Sequence, residues 1–318
     1  MWLRIRLYLL LTVMFGIVYS VIVMIAHVMG ISGFMFYAVL AGGMTFVQYM
    51  IGPKMVEWSM GVRYVSEQEA PELHSMIGEL AQKAGIYKPR VGISRMNIPN
   101  AFAFGRWGKD GRVCVTEPIM KLLSREELKA VLGHEISHLR NHDVATITML
   151  SVIPMILWYV AWNFMFMRGR DRGNTVLIGI AAFVFYFITN LLVLYASRIR
   201  EYYADRGSIK LGNTPHDMAT ALYKLVYGNA RVSKESLKQI EGYKAFFAND
   251  PSRAANELRE LRQVDLDMSG TIDAAELKSL GSKDVKISTS DKFMEILSTH
   301  PNMVKRVKHL SELAHGRA

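Results

Sequence analysis

The chain has 318 residues, of which 51% are hydrophobic and 21% charged, and its formal net charge is +10 at pH 7. Its mean hydropathy is above zero, which is unusual for a soluble protein with this share of charged residues. Cys114 is the only cysteine, which excludes an intramolecular disulfide and is consistent with a reducing compartment. The positive charge is compatible with an anionic membrane surface, but a solvated basic face is the favoured interpretation. No stacked-aromatic or helix-turn-helix pattern points to nucleic acid, so we expect no such partner.

Two uncharged apolar segments, residues 7–26 and 31–51, stand near the start of the chain. As a helix, each would be about 30 Å long and could cross a bilayer. A cleaved signal peptide is the alternative for the first segment. Its apolar run is longer than a signal core, however, no small-residue cleavage site follows it, and a second span comes at once. We therefore expect a retained transmembrane hairpin.

An amphipathic helix and three short strands follow this hairpin. The helix is predicted between Pro71 and Gly85, with an apolar stripe of Leu73, Met76, Ile77, Leu80, Ala81 and Ala84. The strands are predicted at 90–94, 101–104 and 112–116. They imply a small sheet, and the edge of such a sheet can bind an extended peptide as an added strand.

The most informative pattern is His-Glu-Ile-Ser-His at residues 134–138. Four residues are about one helical turn, so His134 and His138 share a helix face and can bind one metal ion, with Glu135 beside them as a general base. Ser124-Arg-Glu-Glu127 is a capping box that would begin this helix. The alternative, an amphipathic helix with two solvated histidines, leaves these flanking features unexplained.

A second apolar pair follows, at residues 147–167 and 176–196. No Pro or Gly lies between His134 and Pro154, so we expect the His134 helix to continue into the membrane. Basic residues at positions 4 and 6 favour a cytoplasmic N-terminus, and an even number of spans returns both polar regions to that side. The arginines at 168, 170 and 172 would then lie outside. This leaves two alternatives open: the second hairpin dips into the membrane without crossing it, or its loop is an exception to the positive-inside rule.

A catalytic zinc normally has three protein ligands and an open position, so a third ligand must come from elsewhere. The strongest candidate is Glu201, which lies just beyond the fourth apolar segment. Its alternative role is as one member of a surface charge cluster with Arg198 and Arg200.

The last third of the chain is helical and polar. Thr214 and Pro215 would begin a helix that ends near Gly228. Residues 265–276 match a twelve-residue EF-hand calcium loop, with Gly270 at position 6, Ile272 at position 8 and predicted oxygen ligands Asp265, Asp267, Ser269, Thr271, Asp273 and Glu276. An acidic solvated turn is the alternative.

These motifs, in this order, resemble the HtpX-type membrane zinc metalloproteases, which are relatives of the CAAX prenyl endopeptidases. The resemblance extends over most of the chain, through Asn100-Ala-Phe-Ala-Phe-Gly105, the 134–138 motif, Glu201-Tyr-Tyr-Ala-Asp205 and Thr299-His-Pro301. It implies that zinc is bound by His134, His138 and Glu201, that Glu135 is the catalytic base and that Asp205 supports a ligand. It further implies an oxyanion-stabilising role for His300 and Arg306, and a substrate-binding edge formed by Asn100, Ala101, Phe102, Ala103 and Phe104.

The predicted fold is therefore a mainly α membrane protein, with about four transmembrane helices and a cytoplasmic α+β zincin-like (gluzincin) protease domain that contains a small sheet. We divide it into a transmembrane hairpin (1–56), a protease subdomain with the sheet and the 134–138 motif (57–143), a second hairpin (144–197) and a C-terminal helical subdomain (198–318).

The predicted function is that of a multi-pass cell-membrane endopeptidase with a zinc cofactor, whose partners are the lipid bilayer and misfolded or membrane protein substrates in quality control and stress response. The alternatives are a membrane-anchored, calcium-responsive adaptor with a structural metal site, and a prenyl-protein processing protease. A calcium ion in the EF-hand-like loop is a further expected cofactor.

Overall fold

The computed structural model describes residues 34–106, 109–166, 172–232, 253–280 and 288–316. These residues form eleven helices and four strands. In chain order they are α1 (Phe34–Ser59), β1 (Val62–Tyr64), α2 (Pro71–Ala84), β2 (Arg90–Ser94), β3 (Ala101–Phe104), β4 (Arg112–Thr116), α3 (Glu117–Leu122), α4 (Arg125–Arg140), α5 (Asp143–Phe166), α6 (Arg172–Lys210), α7 (Pro215–Ala230), α8 (Ala254–Leu261), α9 (Ala274–Leu280), α10 (Thr289–Ile296) and α11 (Met303–Ala314).

The small sheet is mixed, with strand order β1-β2-β4-β3. β2 and β4 are parallel, while β1 and β3 pair antiparallel with β2 and β4 on the two outer sides. The three strands predicted from sequence are confirmed with the bounds expected. β1 was missed, because three residues are too few to establish an alternating pattern. β3 lies at an edge of the sheet within the described part of the chain.

α2 packs with the sheet and α4 in one hydrophobic core. The helix begins at Pro71 and is ended by Gly85, which adopts the left-handed conformation (φ +68°) that glycine tolerates without a steric cost. The six residues of the predicted apolar stripe are the buried residues of this helix, so the predicted amphipathic helix is confirmed.

Two described helices are long and apolar enough to cross a bilayer, over Asp143–Met165 in α5 and Val176–Lys210 in α6. They pack along each other, with Trp158 tilted against Phe183 and Tyr186 at centroid distances of 6.1 and 5.2 Å. Few residues in their apolar stretches are buried inside the protein, unlike those of a core helix. The predicted span 7–26 lies outside the described residues and 31–51 lies partly so; the four-span architecture therefore stays a prediction.

The prediction that the His134 helix continues into the membrane is wrong. α4 ends at Arg140 and a new helix, α5, begins at Asp143. Between them His142 adopts a left-handed conformation (φ +54°), which histidine and asparagine tolerate better than most residues and which ends the helix without a proline or glycine. Pro154 lies inside α5.

The C-terminal helices form a second hydrophobic core around α7 and α11. α7 begins as predicted, with the Thr214 side chain accepting a hydrogen bond from the backbone N–H of Asp217 and Pro215 in the first turn. α8 and α9 contribute Leu261 and Leu277 to the same core. This core places α11 beside α6, where the side chains of the candidate site meet.

Candidate metal centre

α4 presents both histidines of the 134–138 motif on one face. The capping box at Ser124 and Glu127 begins the helix, which places His134 and His138 in its last two turns. Their Nε2 atoms lie 3.0 Å apart, and the rings meet edge to face. Both Nε2 atoms therefore point to a common space.

α6 approaches α4 closely because each helix has a glycine at the contact. A Cβ on Gly133 would clash with the side chains of Asn213 and Ser208, and one on Gly207 would clash with Ser137. The Ser208 hydroxyl also donates a hydrogen bond to the backbone carbonyl of Ala130, at 2.6 Å. A glycine in a helix interior costs about 1 kcal/mol relative to alanine, and here it permits the backbones to meet.

This close packing brings Glu201 of α6 to the two histidines. Its carboxylate oxygens lie 3.4 Å from the Nε2 of His134 and 3.5 Å from the Nε2 of His138. One potential ligand atom from each of the three residues lies within 4.8 Å of the others. The three residues that were predicted as ligands are therefore brought together by two helices that are far apart in sequence.

The second ring nitrogen of each histidine is held by a carboxylate. The Nδ1 of His134 lies 2.8 Å from Asp205, and the Nδ1 of His138 lies 2.5 Å from Asp143. A carboxylate at Nδ1 fixes the tautomer in which that nitrogen donates, so the Nε2 lone pair faces the site. Two imidazole nitrogens and a carboxylate, oriented in this way, fit a catalytic zinc ion.

Asp143 is the site residue that sequence reasoning missed. It is the first residue of α5, is buried, and also forms a salt bridge with Nε of Arg200 at 3.1 Å. The left-handed turn at His142 directs it back toward His138. In the sequence its only signal was its position five residues after His138, which by itself indicates no role.

The pKa values of the site differ from ordinary values in ways that match these contacts. Burial lowers the pKa of His134, but the hydrogen bonds to Asp205 and Glu201 outweigh it and raise this pKa to about 9. Burial likewise opposes ionisation of Glu201, yet the charges of His300 and the two ligand histidines hold its pKa well below the usual value. Burial raises the pKa of Glu135, which a proton acceptor at neutral pH needs.

The β3 edge lies against α4 on the side that carries Glu135. The backbone of Ala103 hydrogen-bonds to the Glu135 carboxylate. The side chains of Phe102 and Phe104 are buried in a core with Cys114. Just before β3, the backbone carbonyl of Asn100 accepts a hydrogen bond from the backbone N–H of Thr116. Of the five residues predicted at the substrate edge, Ala103 is thus the one placed next to Glu135 through its backbone.

His300 and Arg306 both approach Glu201, but differently. His300 is buried, and its charge is the largest electrostatic influence that lowers the Glu201 pKa. Arg306 is fully buried, and its guanidinium makes two hydrogen bonds to Asp205, at 2.9 and 2.6 Å. A third guanidinium nitrogen lies 3.5 Å from Glu201.

The residues of the predicted calcium loop form a separate acidic group, in which Asp265, Asp267 and Glu276 converge.

Comparisons with known proteins show the family to which this chain belongs. The sequence pattern of peptidase family M48 matches residues 67–314. A protease HtpX homolog of Methanothermobacter thermautotrophicus is 52% identical over 224 residues, which make up 70% of this chain and 86% of the relative. A protease HtpX homolog of Thermoplasma acidophilum is 30% identical over 312 residues, or 94% of this chain and 92% of the relative.

A solved structure shows the same fold. The crystal structure of S. mikatae Ste24p matches with a TM-score of 0.58 at 14% identity and covers 96% of this chain, which spans 65% of the length of the Ste24p chain. The family resemblance predicted from the motifs is thereby confirmed: this chain belongs to peptidase family M48.

Proposed function

We propose that this chain is a membrane endopeptidase that uses a zinc ion held by His134, His138 and Glu201 to hydrolyse peptide bonds. The observation that carries the proposal is the convergence of these three side chains beside a buried Glu135 whose pKa is raised and which hydrogen-bonds to the backbone of the edge strand β3. A purely structural metal site has no use for such a carboxylate, which argues against the adaptor alternative.

Glu135 is the proton carrier of the proposed reaction. Zinc, when bound, would polarise the scissile carbonyl and acidify a water molecule. Glu135 takes the proton of the attacking water and passes it to the leaving nitrogen, a role that positioned general bases fill with a rate contribution of about 10² to 10⁴. Its burial at 5% exposure keeps competing solvent away from the carboxylate.

β3 is the proposed substrate edge. An extended peptide can add to an edge strand through backbone hydrogen bonds, with little demand on its side chains. Such a peptide would lie beside Ala103 and hence beside Glu135. This binding mode supports a broad substrate range, as quality control of damaged or misassembled proteins in the membrane requires.

His300 is the proposed oxyanion donor, because it is buried and its charge acts on the ligand Glu201. The contacts of Arg306 support a different role. Its guanidinium is occupied by Asp205 and faces the ligand Glu201, so we assign it to positioning these two carboxylates.

The position of the site relative to the apolar helices supports cleavage next to a membrane. Glu201 lies five residues beyond residue 196, where the apolar part of α6 ends, which is about 7 Å along a helix. We place the site on the cytoplasmic face of the cell membrane, on the basis of the positively charged N-terminal residues and the cysteine content. Prenyl-protein processing is a second candidate that the Ste24p-like fold favours.

The test is Glu135→Gln in full-length protein in detergent, with Glu126→Gln, an exposed residue of the same helix, as the matched control. We expect zinc to be retained in both variants and hydrolysis of casein to fall by about 10² or more in Glu135→Gln alone. Retained casein cleavage by zinc-loaded Glu135→Gln contradicts the assignment. Cleavage of a prenylated peptide but not of casein by wild type selects the processing alternative.

A further inference from the structure

The loop between α8 and α9, residues 265–276, gathers four carboxylates in one turn. A carboxylate oxygen from each of Asp265, Asp267 and Glu276 lies within 4.8 Å of the others. Asp273 adjoins this group, since its Oδ1 accepts a hydrogen bond from the backbone N–H of Glu276 at 2.7 Å. Among the described residues, no Lys, Arg or His forms a salt bridge with any of the four.

Two of these carboxylates are buried. Asp265 is 4% exposed and Glu276 is 7% exposed. One oxygen of Asp265 accepts a hydrogen bond from Gly270 N–H at 3.1 Å, whereas the other, Oδ1, is buried and has no hydrogen-bond partner in the described part of the protein. Burying an ionised carboxylate is costly unless it is paired or coordinates a metal, so a cation bound among these three carboxylates would offset that cost.

The backbone of the loop is already folded around this point. Gly270, at the sixth position, has φ +80°, the conformation for which an EF-hand loop requires glycine. Glu276, at the twelfth position, accepts backbone hydrogen bonds at 2.6 Å from Leu266 and at 3.0 Å from Asp273, which holds the end of the loop against its start.

EF-hand loops usually occur in pairs, and here α7 takes the place of a second loop. At the eighth position, the N–H of Ile272 donates to the hydroxyl oxygen of Thr220 at 3.1 Å, and the same hydroxyl donates to the carbonyl of Ile272 at 2.8 Å. Ile272 itself is fully buried in the C-terminal core. Both backbone groups that would otherwise be unpaired are thus satisfied within the chain.

We propose that residues 265–276 bind one calcium ion, with Asp265, Asp267, Ser269, Thr271, Asp273 and Glu276 as its oxygen ligands. All available ligands are oxygens, which excludes a preference for zinc. Their number and irregular arrangement suit calcium, which accepts six to eight oxygens, better than magnesium, which demands octahedral geometry and retains its waters.

The ion would stabilise the part of the fold that supports the metal centre. Leu277 and Leu280 of α9 pack in one core with Val304 and Val307 of α11. α11 carries Arg306, which holds Asp205 and faces Glu201. Calcium therefore acts on the stability of the C-terminal helices, without contributing to the chemistry at Glu135.

The test is equilibrium dialysis of zinc-loaded, full-length protein in detergent against calcium, in the presence of about tenfold excess magnesium. We compare wild type with Asp267→Asn, which changes an exposed ligand and leaves the buried carboxylates in place, and with Glu276→Gln. The matched control is Glu312→Gln, which removes one negative charge from a half-exposed side chain of α11. Thermal unfolding with and without calcium is measured on the same samples.

We expect one calcium per chain beyond the zinc, with a dissociation constant below about 1 mM, and weakening by about tenfold or more in both loop variants. The control should match wild type. Calcium should raise the unfolding temperature of wild type and of Glu312→Gln only. Absence of bound calcium at millimolar concentration in folded wild type overturns the proposal, and so does equal binding by folded Asp267→Asn and wild type. Neither result bears on the zinc protease, because zinc content and Glu135 chemistry are measured separately.

Discussion

The guanidinium of Arg306 and the carboxylate of Asp205 form a bidentate ion pair in which both side chains are fully buried. Asp205 also accepts from the Nδ1 of the ligand His134, so the pair connects α11 to the metal centre through one carboxylate. Such an arrangement fixes a ligand through its hydrogen bonds, and the removal of either partner leaves a buried charge unpaired.

Arg306→Gln should therefore lower both the stability of the fold and the affinity for zinc. Loss of one partner of a buried pair costs about 3–5 kcal/mol, and loss of a group that orients a ligand costs about 10- to 100-fold in metal affinity. Arg306→Lys should keep the charge but lose the bidentate geometry, giving a smaller effect. The unfolding temperature measures the loss of stability, and the zinc content per chain measures the loss of affinity. A fall in kcat alone, with both quantities unchanged, instead supports the oxyanion role implied by the family resemblance.

Glu201→Gln and Asp205→Asn separate a ligand from its supporting residue. The first removes a ligand carboxylate, so zinc per chain should fall strongly at limiting zinc. The second should leave three ligands and reduce affinity by about 10- to 100-fold, so excess zinc should restore occupancy. Zinc titration of both variants with a competing chelator is the measurement. Wild-type zinc affinity in Glu201→Gln means that the third ligand lies elsewhere.

Asp143→Asn tests the carboxylate that holds His138. Its oxygen lies 2.5 Å from the Nδ1 of His138, which parallels the contact between Asp205 and His134. We expect about 10- to 100-fold weaker zinc binding, with activity recovered at excess zinc. Glu126→Gln, the same loss of one negative charge at an exposed position near the start of α4, is the control. An unchanged affinity in Asp143→Asn assigns this residue to the ion pair with Arg200 alone.

His300→Ala should lower kcat with little change in KM or zinc content, because an oxyanion donor acts mainly in the transition state. His300→Gln, which retains a donor, should recover part of the rate. Steady-state kinetics on a fluorogenic peptide, alongside metal analysis, give the three quantities. A change confined to KM makes His300 a residue that positions the substrate.

The regular elements of the fold could be predicted because their signals are local. α2 is recognisable from Pro71, Gly85 and the stripe between them, and α4 from the capping box at Ser124 and Glu127. The three predicted strands are bounded by turn residues and have β-forming side chains. β1 has only three residues, so no period could be read from it.

The site could be predicted only where a motif supplied it. No periodic sequence pattern indicates that α4 approaches α6 through Gly133 and Gly207. The pairing of Asp143 with His138 likewise has no such pattern. Both depend on contacts between segments that are brought together by packing, and on the left-handed turn at His142. That turn also explains the error over a continuous helix, since only proline and glycine were considered as helix breakers.

Acid should remove a stabilising charge cluster formed by Asp110 with Arg106 and Arg112. Asp110 lies 2.6 Å from Nε of Arg106 and 3.0 Å from Arg112, a side chain that is 4% exposed. Burial of Asp110 raises its pKa, but the hydrogen bonds from the two arginines outweigh this and lower it to about 2. A carboxyl group whose folded pKa is below its unfolded value of about 3.9 stabilises the fold above that value and loses the contribution as the pH falls from about 4 to about 2.

Asp110→Asn should therefore destabilise the protein by about 2 kcal/mol at pH 7, because a shift of one pKa unit is worth about 1.4 kcal/mol. The difference in unfolding temperature between wild type and the variant should shrink near pH 3 and disappear toward about pH 1, below the pKa of both states. Thermal unfolding in detergent at several pH values measures it, with Glu72→Gln, an exposed position on α2, as the control. A difference that stays constant across this range would mean that Asp110 contributes through packing, since a charge effect must vanish once both states are protonated.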